Sequence, residues 1–248
     1  MLLMPRGDGD PDLELLLAAT QVLWGTDSLG RYAEPPLCAV AISAADHHMF
    51  VRADLDDDLA ESLRHVLGSW TQALPAHELR PALTSTLPLL AAAGITAEVR
   101  GGPRFLIESL PAIPVGATVA DSTAPADVRQ AGTRRPPDWA PAQWDALLTG
   151  ALGPWAMLLD QAEVLSICHT SRDSAAGAEA GIWAGPRSTG TGYKAAAMAA
   201  WATVMRKRDD RPLFYSTPDE DDSAQRLAAS PGLRPIGWIW SLRAAGAG

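Results

Sequence analysis

Cysteine is scarce in this chain. Its 248 residues hold two, Cys38 and Cys168, too few for a disulfide scaffold. Both lie in apolar, strand-like runs, where a buried free thiol is expected. Positive charge is also short: 20 Lys and Arg stand against 29 Asp and Glu, a formal net charge of −9. That balance argues against a nucleic-acid partner and mildly favours a cationic or neutral amine as ligand. No apolar run reaches bilayer-crossing length, and Met1-Leu2-Leu3-Met4-Pro5 is too short for a signal peptide, so no membrane partner and a cytoplasmic location are expected. Internal repeats of roughly 20–50 residues are missing. Paired metal ligands are missing too. Asp46-His47-His48 has no second ligand pair at suitable spacing and reads as a solvated turn, so no metal is expected. His65 and His77 stand alone.

What is present begins with composition. A hydrophobic share of 47% is enough for a proper core, in one large or two small domains. The most telling segment is Arg187-Ser188-Thr189-Gly190-Thr191-Gly192, set between the apolar stretch 178–185 and the helix-like stretch 193–208. Its glycines permit a tight turn and close approach of the main chain to a ligand. The helix that follows presents unpaired N–H groups and the positive end of its dipole, which together bind an anion. Arg187 can add a forked contact to a phosphate oxygen. Lys194 works against the dipole and makes sense beside a phosphate.

Two familiar phosphate loops do not fit. A Walker loop needs GxxxxGK[ST], and here the glycine spacing is wrong and Ala195, not Ser or Thr, follows Lys194. A dinucleotide fingerprint needs a third glycine where Tyr193-Lys194-Ala195 stands. The loop has instead the form R/Q-x-x-G-x-G/A.

The flanks give this loop a context. Residues 155–159 and 164–169 are two apolar runs joined by Asp160-Gln161-Ala162-Glu163, a hairpin pattern, and 178–183 is a third run. After the loop, Ala196, Ala197, Ala200, Trp201 and Val204 recur at helical spacing. A strand over 213–216, a short helix over 222–229 and a strand over 233–242 complete the order strand, strand, strand, loop, helix, strand, helix, strand.

In this order, and in the phrases ICHTSRDSAAGAEAGIW, LFYSTPDEDDSAQRLAASPGLRPIGW and Gly102-Pro103-Arg104-Phe105-Leu106, the chain resembles the GNAT superfamily of acyl-CoA-dependent N-acyltransferases. It is closest to a bacterial subfamily with an extra N-terminal region, and the likeness covers residues 100–242. It implies an α/β (α+β) fold: a mixed, mostly antiparallel central sheet flanked by helices, with an N-terminal α/β extension. The implied activity is transfer of an acetyl group from acetyl-CoA, as co-substrate, to the primary amine of a small acceptor such as a natural product, antibiotic or amino acid. A catalytically silent acyl-CoA sensor or interaction domain is the alternative. The implied partners are acetyl-CoA and the amine, with a homodimer as a further expectation.

The resemblance also distributes roles. Arg187, Ser188, Thr189, Gly190, Thr191, Gly192, Tyr193 and Lys194 would wrap the pyrophosphate. Main-chain groups of Ile182, Trp183 and Ala184 would hold the pantetheine and the thioester carbonyl, with Gly181 helping the strand to kink. An ammonium has no lone pair, so a general base is wanted. Glu179, a carboxylate in an apolar strand beside the thioester, is the first candidate, and His169 on the adjacent strand is the second. Where many family members place an acidic Tyr, this chain has Ala228. Tyr215, Ser216 and Ser223 are the substitutes, and Asp221 takes the place of a common Asn, so Ser216, Asp221 and Ser223 join the coenzyme contacts. Asp219-Glu220-Asp221-Asp222 reads as carboxylates at a helix start.

Domains are expected over 1–115, an α/β region and diverged partner half, and over 116–248, the acetyltransferase core. In the first, 12–24 and 56–70 read as helices, 37–42 and 48–52 as a strand pair, 78–93 as a helix interrupted at Pro88, and 95–99 as a strand. Residues 124–141, with Thr133-Arg134-Arg135-Pro136-Pro137, read as a linker or mobile substrate loop. Tryptophans are unusually many, at nine; Trp183, Trp201, Trp238 and Trp240 lie in core elements and read mostly as packing, with Trp183 also bordering the acyl site.

Overall fold

The computed structural model describes residues 10–25, 35–109, 118–160, 163–188, 192–221, 226–229 and 232–245. The chain divides into two compact units, each discontinuous: Met1–Phe105, Ser216–Gln225 and Pro235–Gly248 form the first, Leu106–Tyr215 and Arg226–Arg234 the second.

In the first unit, helix α1 (Pro11–Trp24) starts at Asp10, whose carboxylate accepts the Asp12 N–H. Strand β1 (Cys38–Ile42) pairs antiparallel with β2 (His47–Val51) and, on its other edge, with the later β9 (Leu233–Ala244). Every residue of β1 is buried, so it reads as an unbroken apolar run and not as an alternating one. Helix α2 (Asp57–Ala73) is capped by Asp56 and lays Leu59, Leu63 and Leu67 on the sheet. Helices α3 (Leu79–Thr84) and α4 (Leu87–Ala92) replace the single interrupted helix expected over 78–93. The break falls at Ser85-Thr86 and not at Pro88, because a proline in a helix's first turn has no needed N–H to lose. Strand β3 (Ala97–Ile107) runs through the Gly102-Pro103 phrase, and the strand order of this unit is β2-β1-β9-β3.

The second unit opens with β4 (Thr118–Asp121), a short strand with no counterpart in the sequence reading. The stretch read as a linker or mobile loop instead carries α5 (Pro125–Gly132) and α6 (Pro141–Leu148), each begun by a proline. Strands β5 (Trp155–Asp160), β6 (Glu163–Ser174) and β7 (Gly177–Ala184) follow as an antiparallel meander, then α7 (Tyr193–Arg206) and β8 (Leu213–Ser216). The order here is β8-β7-β6-β5-β4, antiparallel throughout except for β7 with β8. Each unit is thus mixed α/β with mostly antiparallel strands, in keeping with the expected fold class.

Two layers cover this sheet. Trp155, Met157 and Ile167 on one face join Trp139, Trp144 and Leu147 from the α5–α6 region in a buried cluster. On the opposite face lie Cys168 and Thr170, and the Trp201 indole N–H of α7 donates to the Thr170 hydroxyl at 3.0 Å. Both cysteines are buried free thiols. Burial pushes the Cys38 thiol up to about 12 and raises that of Cys168 well above its ordinary value, so neither is a ready nucleophile. No helix among the described residues is long and apolar enough to cross a membrane.

Candidate functional site

The site is built where β7 leaves its parallel neighbour. The ladder between them has two rungs, Ala178↔Leu213 and Glu179↔Phe214. Strand β7 nevertheless continues to Ala184, held on its other edge by β6 through Gly181↔His169, Ile182↔Cys168, Trp183↔Ile167 and Ala184↔Ser166. Among the described residues no rung joins 180–184 to β8, so that edge of β7 offers main-chain groups without a ladder partner. Ile182, Trp183 and Ala184 are half-buried there.

Beyond β7 the chain turns under tight local control. The Gly185 N–H bonds the Leu165 carbonyl at 2.9 Å, and the buried Ser188 hydroxyl donates to that same carbonyl. Ser188 thereby anchors the loop to β6. Helix α7 then starts at Gly192, which has φ +75 and open space where a Cβ would stand. The first turn of α7 lies at the positive end of the helix dipole. Tyr193 and Lys194 are half-buried in that turn. Thr189, Gly190, Thr191 and Ser223 lie outside the described residues.

Arg187 is exposed and already engaged. Its guanidinium donates to Glu163 Oε2 at 2.7 Å and to Asp160 Oδ2 at 3.1 Å, both on the β5–β6 hairpin, and these carboxylates hold its pKa above the ordinary value. Two of its five N–H donors are used in this way.

Glu179 sits on the last rung and is 7% exposed; its carbonyl accepts the Ser171 hydroxyl at 3.0 Å. By the period of two, residues 179, 181 and 183 share one face of β7. His169 lies over Gly181 on that face, where a Cβ on residue 181 would come within 2.9 Å of the imidazole Nε2. Gly181 is therefore the room for the His169 ring, in a strand that runs on to Ala184. Burial holds the His169 pKa below its ordinary value, and its Nδ1 is buried without a hydrogen-bond partner among the described residues. Neutral at pH 7, the ring can accept a proton.

Above this face stands an aromatic wall. The Trp139 ring packs edge-on against Trp144, His169 and Trp183, with centroids 5.6, 6.4 and 6.4 Å apart. The Trp183 indole N–H donates to Asp138 Oδ2 at 2.9 Å. Between the 133–138 segment and Trp183 opens a cleft of about 510 Å³, lined also by Arg134, Arg135, Glu163 and Pro186.

The remaining expected residues are placed as follows. Tyr215, on β8, is 5% exposed and packed, while Ser216 and Asp221 belong to the first unit, the former half-buried and the latter exposed. In the acidic run 219–222, Asp219 and Glu220 face the Arg80 guanidinium, and Asp222 lies outside the described residues. No group of three or more His, Cys, Asp or Glu able to hold a metal occurs among the described residues.

No protein-family model matches the sequence, and no curated protein matches it. Solved structures do. A GCN5-related N-acetyltransferase from Sphaerobacter thermophilus is 17% identical with a TM-score of 0.48, covering 94% of this chain and 90% of that one. A tandem GNAT protein from the clavulanic acid biosynthesis pathway is 12% identical with a TM-score of 0.47, covering 95% and 94%. A protein described as a GNAT-family acetyltransferase from Novosphingobium aromaticivorans is 18% identical with a TM-score of 0.41 over 60% of this chain. This chain spans just under two thirds, 66%, of that protein. All three are GNAT proteins.

Sequence reasoning missed Arg134, Asp138 and Trp139 as site residues. Their signal was present in the run Thr133-Arg134-Arg135-Pro136-Pro137-Asp138-Trp139, where two adjacent arginines and a tryptophan are too costly for an inert linker to need. Only the folding of α5 and α6 carries that run over β7.

Proposed function

We propose that this protein is a GNAT-type N-acetyltransferase that moves an acetyl group from acetyl-CoA to a primary amine by direct attack in a ternary complex. The observation that carries the reading is the early end of the β7–β8 ladder at Glu179↔Phe214, ahead of the glycine-led start of α7. Main-chain groups on the edge of 180–184 that faces away from β6 suit an amide-bearing pantetheine arm and can stabilise charge developing on the thioester carbonyl. The α7 start suits its pyrophosphate.

In the reaction the amine nitrogen bonds to the carbonyl carbon, the C–S bond breaks, and CoA leaves as its thiolate. The proton released from the amine goes to a base. Glu179 takes that role in this reading, because it is the carboxylate on the last rung; His169, neutral and on the same face, is the other acceptor within the site. A CoA thiolate is a fair leaving group, so no protein acid is required, and the packing of Tyr215 accounts for its burial.

Calorimetry with acetyl-CoA, followed by a screen of primary amines for thiol release, tests this. The wild type is expected to bind and to turn over. Gly192→Asp should weaken binding at least tenfold, about 1.4 kcal/mol, because a carboxylate then faces the phosphates while Asp still tolerates the left-handed backbone. Glu179→Gln should bind normally and lose roughly 10²–10⁴ in rate. Absence of acetyl-CoA binding would overturn the reading, and binding without turnover of any amine would leave an acyl-CoA sensor.

A further inference from the structure

Two carboxylates line the cleft of about 510 Å³ under the α5–α6 connection, Asp138 and Glu163. Both are exposed side chains, but they differ in what already neutralises them. Glu163 accepts the Arg187 guanidinium at 2.7 Å. Asp138 accepts the neutral Trp183 indole N–H at 2.9 Å through Oδ2, and no Lys or Arg pairs with it among the described residues. The indole bond fixes the direction of this carboxylate without cancelling its charge, and Oδ1 stays available to a donor. The cations that line the cleft do not offset it by pairing: Arg135 donates to the Trp139 carbonyl, and Arg134 has its Nη1 closed to solvent. Much of the remaining wall is apolar and stiff. Trp183 is half-buried there, and Pro136, Pro137 and Pro186 add rings with no polar side-chain atom.

We infer that this cleft takes an organic ammonium carried on a flat apolar ring, an arylalkylamine, with its nitrogen on Asp138 and its ring against Trp183 and the prolines. That this amine is the acetyl acceptor rests on the acetyltransferase reading; that it is a cation on an apolar ring rests on the cleft alone. An ammonium on a carboxylate forms a charge-assisted bond, and an indole beside it adds attraction through its ring face. The volume suits a ring and a short alkyl chain, and Glu163 at the same cleft adds field of the same sign. The bound ammonium still loses its proton to the base of the transfer step before its nitrogen attacks. Trp183 belongs to the part of β7 without a rung to β8, so the residue that orients Asp138 also adjoins the edge proposed for the thioester.

The test is calorimetry with three probes. Phenethylamine carries both features, 2-phenylethanol replaces the ammonium by a hydroxyl on the same carrier, and n-butylamine keeps the ammonium without the ring. Phenethylamine should bind about tenfold more tightly than either of the others. Asp138→Asn keeps an amide oxygen for the Trp183 indole and removes the charge, so it should lose about tenfold in phenethylamine affinity and leave that for 2-phenylethanol unchanged. A merely structural role for Asp138 would weaken both probes alike. Equal affinities for phenethylamine and 2-phenylethanol, or wild-type phenethylamine binding in Asp138→Asn, overturns the cation site, and n-butylamine binding as tightly as phenethylamine overturns the ring. Phenethylamine and acetyl-CoA both bound with no thiol released overturns the assignment as acceptor. Phenethylamine binding with no acetyl-CoA binding overturns the acetyltransferase reading instead and leaves the ammonium site standing.

Discussion

Each unit contains a cleft lined by arginines, and the two clefts use them differently. In the first unit a cleft of about 390 Å³ is lined by Arg80, Arg100, Glu98 and Glu220. Arg80 forks onto Asp219, lies 3.3 Å from Glu220 and stacks 5.6 Å over the Trp240 ring, while Arg100 is paired to Glu98. In the second unit Arg134 keeps an unmade bond. Arg80 and Arg100 are thus struts held by carboxylates of the fold, a pairing that Arg134 Nη1 lacks among the described residues. A guanidinium paired in this way has part of its bonding already met within the fold.

That contrast can be broken in four places. The largest effect should come from Gly101→Ala in the first cleft, where a Cβ would fall 2.7 Å from the Ile239 carbonyl and 2.4 Å from the Trp240 ring. Backbone cannot swing aside as a side chain can, and a loss of about 3 kcal/mol in denaturant unfolding is expected. Next is Arg80→Ala, which removes the forked partner of the largely buried Asp219. With Arg80 itself 31% exposed, solvent screening reduces the cost to about 2 kcal/mol. A drop near zero would mean that the first cleft's arginines are not struts.

Smaller is the contribution of His169 to pH dependence. Its folded pKa lies below the ordinary value of about 6.5 because burial disfavours the charged ring. Its stabilising effect is therefore complete above pH 6.5 and lost as pH falls from there through the depressed folded value, the range in which only the unfolded chain takes the proton. His48, also depressed by burial, adds the same sign from the first unit, so the difference between wild type and His169→Asn isolates the term. Unfolding curves that stay parallel from pH 7 to pH 5 would remove it. The smallest effect should be that of Arg134→Gln on stability, within about 0.5 kcal/mol, because no folded-state bond to its Nη1 is lost. A large loss there would make Arg134 a strut after all.

Much of the second unit was legible before folding. The β5–β6 hairpin, the strand before the glycine loop, α7 and β8 fall where alternation, helical period and turn residues put them, because each signal is local. The loop was read as an anion site on equally local grounds, since glycines before a helix act through their own backbone. Three things were not. Strand β4 is four residues long and borrows its identity from pairing with β5. The helices over 125–148 were masked by prolines that look like breakers and act as helix starts. The role of Gly181 depended on what lies across the ladder, namely His169, and register between strands is not written in either strand alone.

The sequence by itself determined the local pieces of the candidate site: a glycine-bearing loop, the helix that follows it and a carboxylate in an apolar strand, all set by neighbours within a few positions. The tertiary structure alone decided what surrounds them. It ended the β7–β8 ladder at Glu179, engaged Arg187 with the hairpin carboxylates, and brought Arg134 and Trp139 to Trp183 from about 45 residues away along the chain, as the Asp138–Trp183 bond shows. Such contacts depend on which surfaces pack together, and no short window of residues carries that information.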